Sequence, residues 1–336
     1  MSRSPPLPQL VIVSPALAAA NNGNWRTARR WQRFLAPEAS TRVVSQWPEA
    51  FAADDQAMLA LHARRSAPSV AAWRAAHRVG GLALILTGTD LYHDIHHDAA
   101  AQAALHLADA LVVLQELGPL ALPADLRARA RIIFQSTSRR RSVPKTGRYL
   151  CALMVGHLRD EKSPETLFAA ARALAAHDDI RLEHIGDALD PRLAAAAVAT
   201  MAACANYRWL GGQPHAATRR RIQHAHLLVH ASRLEGGAHV LMEAVCSGTP
   251  VIASAIDGNI GMLGKDYAGY FACGDAPGLA ALLVRCRASQ GQTDGVLAEL
   301  AAQCQRRAER FAPASEQAAV RQLLADLLGS AAIGGR

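Results

Sequence analysis

Lysine is nearly missing from this chain: Lys145, Lys162 and Lys265 are the only three among 36 basic residues. The formal charge of +8 is therefore carried by arginine. Such a balance suits anionic partners, whether nucleic acid, lipid headgroups or phosphorylated small molecules, without choosing among them. An arginine-rich composition can also be a habit of the genome, so only arginines at special positions carry information. Aromatics are 5% of residues and the apolar runs are Val, Leu and Ile, which leaves no arginine-and-aromatic sheet face of the kind that binds nucleic acid. The six cysteines, Cys151, Cys204, Cys246, Cys273, Cys286 and Cys304, form no CxxC pair, so neither a disulfide framework nor a zinc site is expected and a reducing, cytoplasmic setting is. No apolar run approaches membrane-spanning length, and LVIVSPALAAA runs straight into NNGNWR, a loop rather than a cleavage site. There is no GxGxxG.

What is present is rhythm. Short apolar runs alternate with Ala-rich amphipathic stretches, the pattern of βα units around a parallel sheet. LVIV from Leu10, MLALH from Met58, LALILT from Leu82, ALVVLQ from Ala110 and RIIFQ from Arg131 read as strands of one Rossmann-like half. The polar, basic STSRRRSVPKTGR reads as the linker. CALMVG, RLEHIG, YRWLG, LLVHAS, PVIAS and YFACG then supply a second half. The expected domains are 1–145, 146–311 and a tail, 312–336, in which Ala319, Val320, Leu323, Leu324 and Leu327 give a helix one apolar face that must pack on something. Two such α/β halves resemble the GT-B arrangement of glycosyltransferases, two Rossmann-like domains facing across a cleft.

Chemistry concentrates in LLVHASRLEGGAHVLMEAVCSG. It reads as a buried strand, a Gly236-Gly237 turn and a helix that stops near Ser247-Gly248, with Pro250 beyond. A glycine turn lets amides approach a ligand closely, and a helix N-terminus favours an anion such as a diphosphate. His239 and Glu243, four apart, share a helix face, while Glu235 precedes the first turn. Carboxylates so placed can accept hydrogen bonds from vicinal hydroxyls. With SGTPVIAS following, the segment resembles the Glu-x7-Glu motif of glycosyltransferase family 4. That resemblance implies that Glu235 holds a hydroxyl of the transferred sugar, that the amides of Gly236, Gly237, Ala238 and His239 contact sugar and β-phosphate, and that Glu243 binds ribose hydroxyls.

A second segment, LMVGHLRDEKSPETLFAAARAL, reads as strand, charged loop and helix, with Ser163 as N-cap and Pro164 at the first helical position. Family 4 members place an arginine and a lysine here to clamp the donor diphosphate. Lys162 matches the lysine; His157 stands at the arginine position and Arg159 two residues later. Either can supply the second contact, Arg159 being charged at any pH and forked for two phosphate oxygens. HIGDALD, IDGNIGMLG and RWLGGQPH resemble further family loops, the last implying that Leu210 and Gly211 face the base through their main chain.

In the amino-terminal half, NNGNWRTARRWQRFL puts Trp31, Phe34 and Leu35 on the buried stripe of a helix, with Arg26 in its first turn and Arg29 and Arg30 just after. The macrodipole disfavours cations there unless an anion binds. Asn22, Gly23, Asn24, Arg26 and Arg30 are thus candidate acceptor contacts. In LTGTDLYHDIHHD, Thr87 stands where family 4 often has histidine, followed by matching Gly88, Thr89 and Asp90. His93, His96 and His97 with Asp94 and Asp98 read as a solvated helix start, and no metal site is expected.

Across NNGNWRTARRW, ALHARRSA, LTGTDLYHDI, VGHLRDEKSPETL, SRLEGGAHVLMEAV and IDGNIGMLGKDYAGYF the chain resembles the selenosugar synthases of selenoneine biosynthesis. That resemblance implies a UDP-sugar co-substrate, UDP-N-acetylglucosamine or UDP-glucose, and selenophosphate as acceptor, with no bound cofactor or metal. It also implies functional links to a selenophosphate synthetase and a selenoneine synthase, and Glu235, Lys162, Arg159 and Thr87 at the reaction centre. A polarizable selenium nucleophile needs little help from a general base, which suits the missing imidazole. The alternative is a family 4 enzyme acting on a hydroxyl of a glycan or lipid.

Overall fold

The computed structural model describes residues 6–17 and 23–334. The chain divides into two compact units, Met1–Gln135 with Pro313–Arg336, and Ser136–Ala312. The whole basic linker, residues 136–148, belongs to the second unit. Arg140 donates its amide to Cys246 O (2.8 Å), and buried Arg219 holds Thr137 Oγ1 and Ser138 O.

The first unit has β1 (Gln9–Val13), β2 (Ser40–Val44), β3 (Asp55–Leu61), β4 (Leu82–Ile85), β5 (Ala110–Val113) and β6 (Ala130–Ile132). They form one sheet in the order β2-β1-β3-β4-β5-β6, and every pair is parallel. Strand side chains alternate faces, so each apolar run feeds two cores. Leu10, Ile12, Leu59, Leu61, Ile85 and Val112 pack with Trp31 and Leu35 of the helix Gly23–Leu35. Val11, Val13, Met58, Leu84, Leu111 and Val113 pack with Val70 and Trp73 of the helix Ala63–Ala76. Phe34, expected on the buried stripe, is only half-buried beside the first core.

The carboxy-terminal helix, Pro313–Gly334, returns to this sheet and adds Val320, Leu323, Leu324 and Leu327 to the first core. Its Glu316 is fully buried, so its charge must be compensated. Arg30 supplies Nε (2.7 Å) and Nη2 (2.9 Å), and Trp31 Nε1 adds a third bond at 2.7 Å.

The second unit has β7 (Leu150–Val155), β8 (Ile180–Ile185), β9 (Tyr207–Trp209), β10 (Leu227–His230), β11 (Val251–Ser254) and β12 (Tyr270–Phe271), all parallel, in the order β12-β11-β10-β7-β8-β9. From β7 the chain builds outward through β8 and β9, then returns to β7's other side with β10. Order therefore reverses between β7 and β10. Loops leaving the carboxyl ends of two such strands diverge, and the crevice between them is where parallel α/β sheets hold ligands.

Candidate active site

The loops after β7 and β10 carry the two charged residues singled out from sequence. Lys162 lies in the short helical turn Asp160–Lys162, its stem over Gly156, where an added Cβ would sit 3.3 Å from the lysine's Cγ and Cδ. Its ammonium is ion-paired with Glu235 Oε1, and both side chains are largely buried, 16% and 12% exposed. His230, the last residue of β10, brings Nε2 to 3.3 Å from the same oxygen. Burial alone would raise the Glu235 carboxyl; the Lys162 charge and the His230 contact instead hold it far below the ordinary range. Gly258 seals the loop from behind: a Cβ there would lie 2.0 Å from Glu235 O.

The chain bends at Gly236 and Gly237, just ahead of the helix His239–Val245. Neither Gly236 nor Gly237 has a positive φ, whereas Gly248, past the helix His239–Val245, does at 67°. The Ala238 amide is already engaged, donating to Met262 Sδ at 3.1 Å. Glu243, in that helix, is buried and accepts from His215 Nε2 at 2.6 Å, with Arg219 Nη1 at 3.7 Å. Sequence reading missed His230, His215 and Arg219. Their link to the carboxylates exists only once strands and helices are packed.

Ser163 stands at the expected cap position but in a left-handed conformation, φ 47°, and makes no side-chain cap bond. Its hydroxyl meets Thr166 Oγ1 at 2.9 Å instead. Of the two candidate phosphate contacts, His157 accepts the Asp187 amide at Nδ1 (3.0 Å), which places its proton on Nε2. Burial lowers its pKa against the opposing pull of Asp187, so it is a neutral donor. Arg159 is half-exposed, 3.8 Å from Glu161. Leu210 donates its amide to His184 O (2.8 Å) and accepts from Gln213 at its carbonyl (2.8 Å), while Gly211 O takes the Gly186 amide (3.0 Å).

In the first unit the strand order reverses between β1 and β3. Gly23 opens the helix after β1, and Asn24 and Arg26 are partly buried in its first turn; Asn22 lies outside the described residues. Arg30, expected at an anion site, is instead bound to Glu316 as above. Asp90, expected to meet the acceptor, is fully buried and accepts three amides: Thr87 and Gly88 on Oδ1 and Ala63 on Oδ2, each at 2.9 Å. Thr87 Oγ1 lies 3.3 Å from the same carboxylate, and Thr89 is exposed.

The end of β3 also holds a histidine that sequence reading passed over. His62 is buried with φ 74°, caps the helix Ala63–Ala76, and sits 3.9 Å from Asp94. Burial lowers its pKa against the pull of Asp90. Burial would raise Asp94, but hydrogen bonds from His93 and Arg64 hold it down. His93, His96 and His97 are exposed. Among the described residues no group of three or more His, Cys, Asp or Glu could hold a metal ion, and no helix is long and apolar enough to cross a membrane.

Residues 135–285 match the family described as glycosyl transferases group 1. No curated protein matches the chain in sequence. Solved structures do match in fold. Sucrose-phosphate synthase from Thermosynechococcus elongatus is 18% identical with a TM-score of 0.72, over 96% of this chain and 99% of that one. Anabaena HepE, solved with UDP and glucose, is 13% identical with a TM-score of 0.71, over 95% of this chain and 100% of that one. TarM is 12% identical with a TM-score of 0.60, over 81% of this chain, which spans 54% of its length. The architecture is that of GT-B glycosyltransferases, two parallel-sheet Rossmann-like units with a carboxy-terminal helix.

Proposed function

We propose that this chain, whose residues 135–285 match the glycosyl transferases group 1 family, transfers a sugar from a UDP-sugar to selenophosphate. The observation that carries the donor reading is the pairing of Lys162 with Glu235 at the strand-order reversal of the second sheet. HepE and the pneumococcal O-GlcNAc transferase GtfA were both solved with UDP, which supports uridine as the nucleoside. N-acetylglucosamine and glucose are the candidate sugars.

In this reading Lys162 and Arg159, with the amides of Gly236, Gly237 and His239, stabilise the charge that grows on the β-phosphate as UDP departs. Glu235 orients a sugar hydroxyl and Glu243 takes the ribose. Removing one donor to such a developing charge costs on the order of a hundredfold in rate. Selenium attacks the anomeric carbon, the bond from that carbon to the UDP oxygen breaks, and water then cleaves P–Se to release phosphate and the selenosugar. Arg26, beside Gly23 and Asn24, is the acceptor's cationic contact.

The test is incubation with UDP-N-acetylglucosamine and selenophosphate, following UDP release and a selenium-bearing sugar by mass spectrometry. UDP released only with a hydroxyl acceptor overturns the selenium reading. Unchanged donor affinity in Glu243→Ala removes the role given to Glu243.

A further inference from the structure

Two residues that meet Glu243 come from one helix, His215–His224, where positions 215 and 219 are four apart and share a face. They meet it in different ways. Arg219 is buried and its guanidinium is spent on Thr137 Oγ1 and Ser138 O; its Nη1 stands 3.7 Å from Glu243 Oε1, an attraction without a hydrogen bond. His215 is half-exposed and makes the bond, its Nε2 donating to Glu243 Oε1 at 2.6 Å. Glu243 itself is buried. One carboxylate thus has a buried cation on hand and a half-exposed imidazole hydrogen-bonded to it.

We propose that His215 is a positioning residue for nucleotide selection, holding the Glu243 carboxylate for the ribose hydroxyls so that the site takes a ribonucleoside diphosphate and discriminates against its 2′-deoxy counterpart. The inference rests on the donor reading, which gives Glu243 the ribose. A carboxylate turns easily about its last torsion, whose preference is broad. Left with Arg219 alone, it is drawn towards a charge whose donors already serve the linker. An imidazole has two side-chain torsions and presents its N–H in the plane of a rigid ring. His215 is also the first residue of its helix, directly after Pro214, and that helix packs on the one that carries Glu243. Its bond to Oε1 opposes the turn towards Arg219. Arg219 supplies charge and His215 supplies orientation.

The consequence falls on discrimination. A site built to hydrogen-bond a ligand hydroxyl rejects the analogue that lacks it, because the buried partner is left unpaired. That penalty is full only when the partner is held in place. Once free to turn, the carboxylate finds Arg219 instead, and the deoxy analogue costs it little.

The experiment measures by calorimetry the affinities of UDP and 2′-deoxy-UDP for the wild type, for His215→Leu, which removes the donor, and for His215→Gln, whose amide nitrogen falls near the place of Nε2. Urea denaturation checks that each protein is folded. The expected wild-type preference for UDP is at least about tenfold. In His215→Leu it should shrink to about threefold or less, through loss of UDP affinity while that of the deoxy analogue stays, and His215→Gln should restore it. A residue that only supports the helix would weaken both nucleotides together. If His215→Leu does not fold, His215→Ala replaces it. A preference kept in His215→Leu, a loss shared equally by both nucleotides, or a His215→Gln protein that behaves as His215→Leu does overturns the proposal. A folded wild type that binds neither nucleotide overturns the donor reading and the proposal with it, whereas one that binds both equally overturns the ribose duty of Glu243 and the proposal that depends on it.

Discussion

Removing the Lys162 ammonium isolates a largely buried ion pair of the second unit, and a double-mutant cycle of Lys162→Met with Glu235→Gln measures it. Exposed ion pairs contribute about 0–1 kcal/mol, whereas truncating one partner of a fully buried pair costs about 3–5 kcal/mol. With 16% and 12% of the two side chains exposed, and His230 still facing the stranded carboxylate, the coupling should fall between these limits, at about 2 kcal/mol. The sign with pH is fixed. Glu235 in the folded protein lies far below its ordinary value of 4.5, so its stabilisation is full above that value and is lost as pH falls through the lower folded one. Urea denaturation of the four proteins at pH 7, repeated at descending pH, gives the coupling directly. A coupling below about 0.5 kcal/mol at pH 7, or one that grows as pH falls, refutes the reasoning.

Gly258→Ala puts a methyl 2.0 Å from Glu235 O; the loop must shift, and donor affinity should drop at least about tenfold with the unit still folded, as calorimetry and circular dichroism will show. Glu316→Ala strands Arg30 and Trp31 Nε1 and should lower stability to chemical denaturation by about 3 kcal/mol. In Asp90→Ala the amides of Thr87, Gly88 and Ala63 lose their acceptor, with an expected cost of about 2–4 kcal/mol by the same measurement; a loss of activity without any loss of stability would return Asp90 to the acceptor.

Eleven of the twelve strands among the described residues overlap the apolar runs that announce them: the central ones are buried on both faces and largely apolar, and β6, β8 and β9 keep enough apolar residues around Arg131, Arg181, Glu183 and Arg208 to be seen. The exception is β2, Ser-Thr-Arg-Val-Val at a sheet edge, where partial exposure removes the signal. The apolar face of the carboxy-terminal helix is equally legible, but its destination is not: nothing local says that Glu316 will meet Arg30 and Trp31 from the other end of the chain. Lys162 and Glu235 are legible as motif members, and their pairing follows from strands β7 and β10 being neighbours. His230 is hidden inside an apolar run. Only the fold-back of the loop after β10 brings Glu235 onto it.

The same distinction bears on the acceptor. In the second unit Lys162 and His230 both approach one oxygen of the Glu235 carboxylate; in the first, the strand-end acids turn inward. Asp90 is saturated by three amides, Asp94 is held by Arg64 and His93, and His62 is buried between them. The segment where family 4 often has an imidazole thus presents the Thr87 hydroxyl, itself beside Asp90, and the exposed Thr89. A threonine cannot remove a proton from a sugar hydroxyl at neutral pH, since its own hydroxyl is no stronger a base. A nucleophile that arrives already anionic and polarizable has no such requirement. On the proposed selenophosphate reading, replacing Thr87 by histidine should leave that transfer within a few-fold while giving hydroxyl acceptors a base they lack. A Thr87→Ala variant that loses selenosugar formation while keeping donor affinity would instead place the threonine in the chemistry itself.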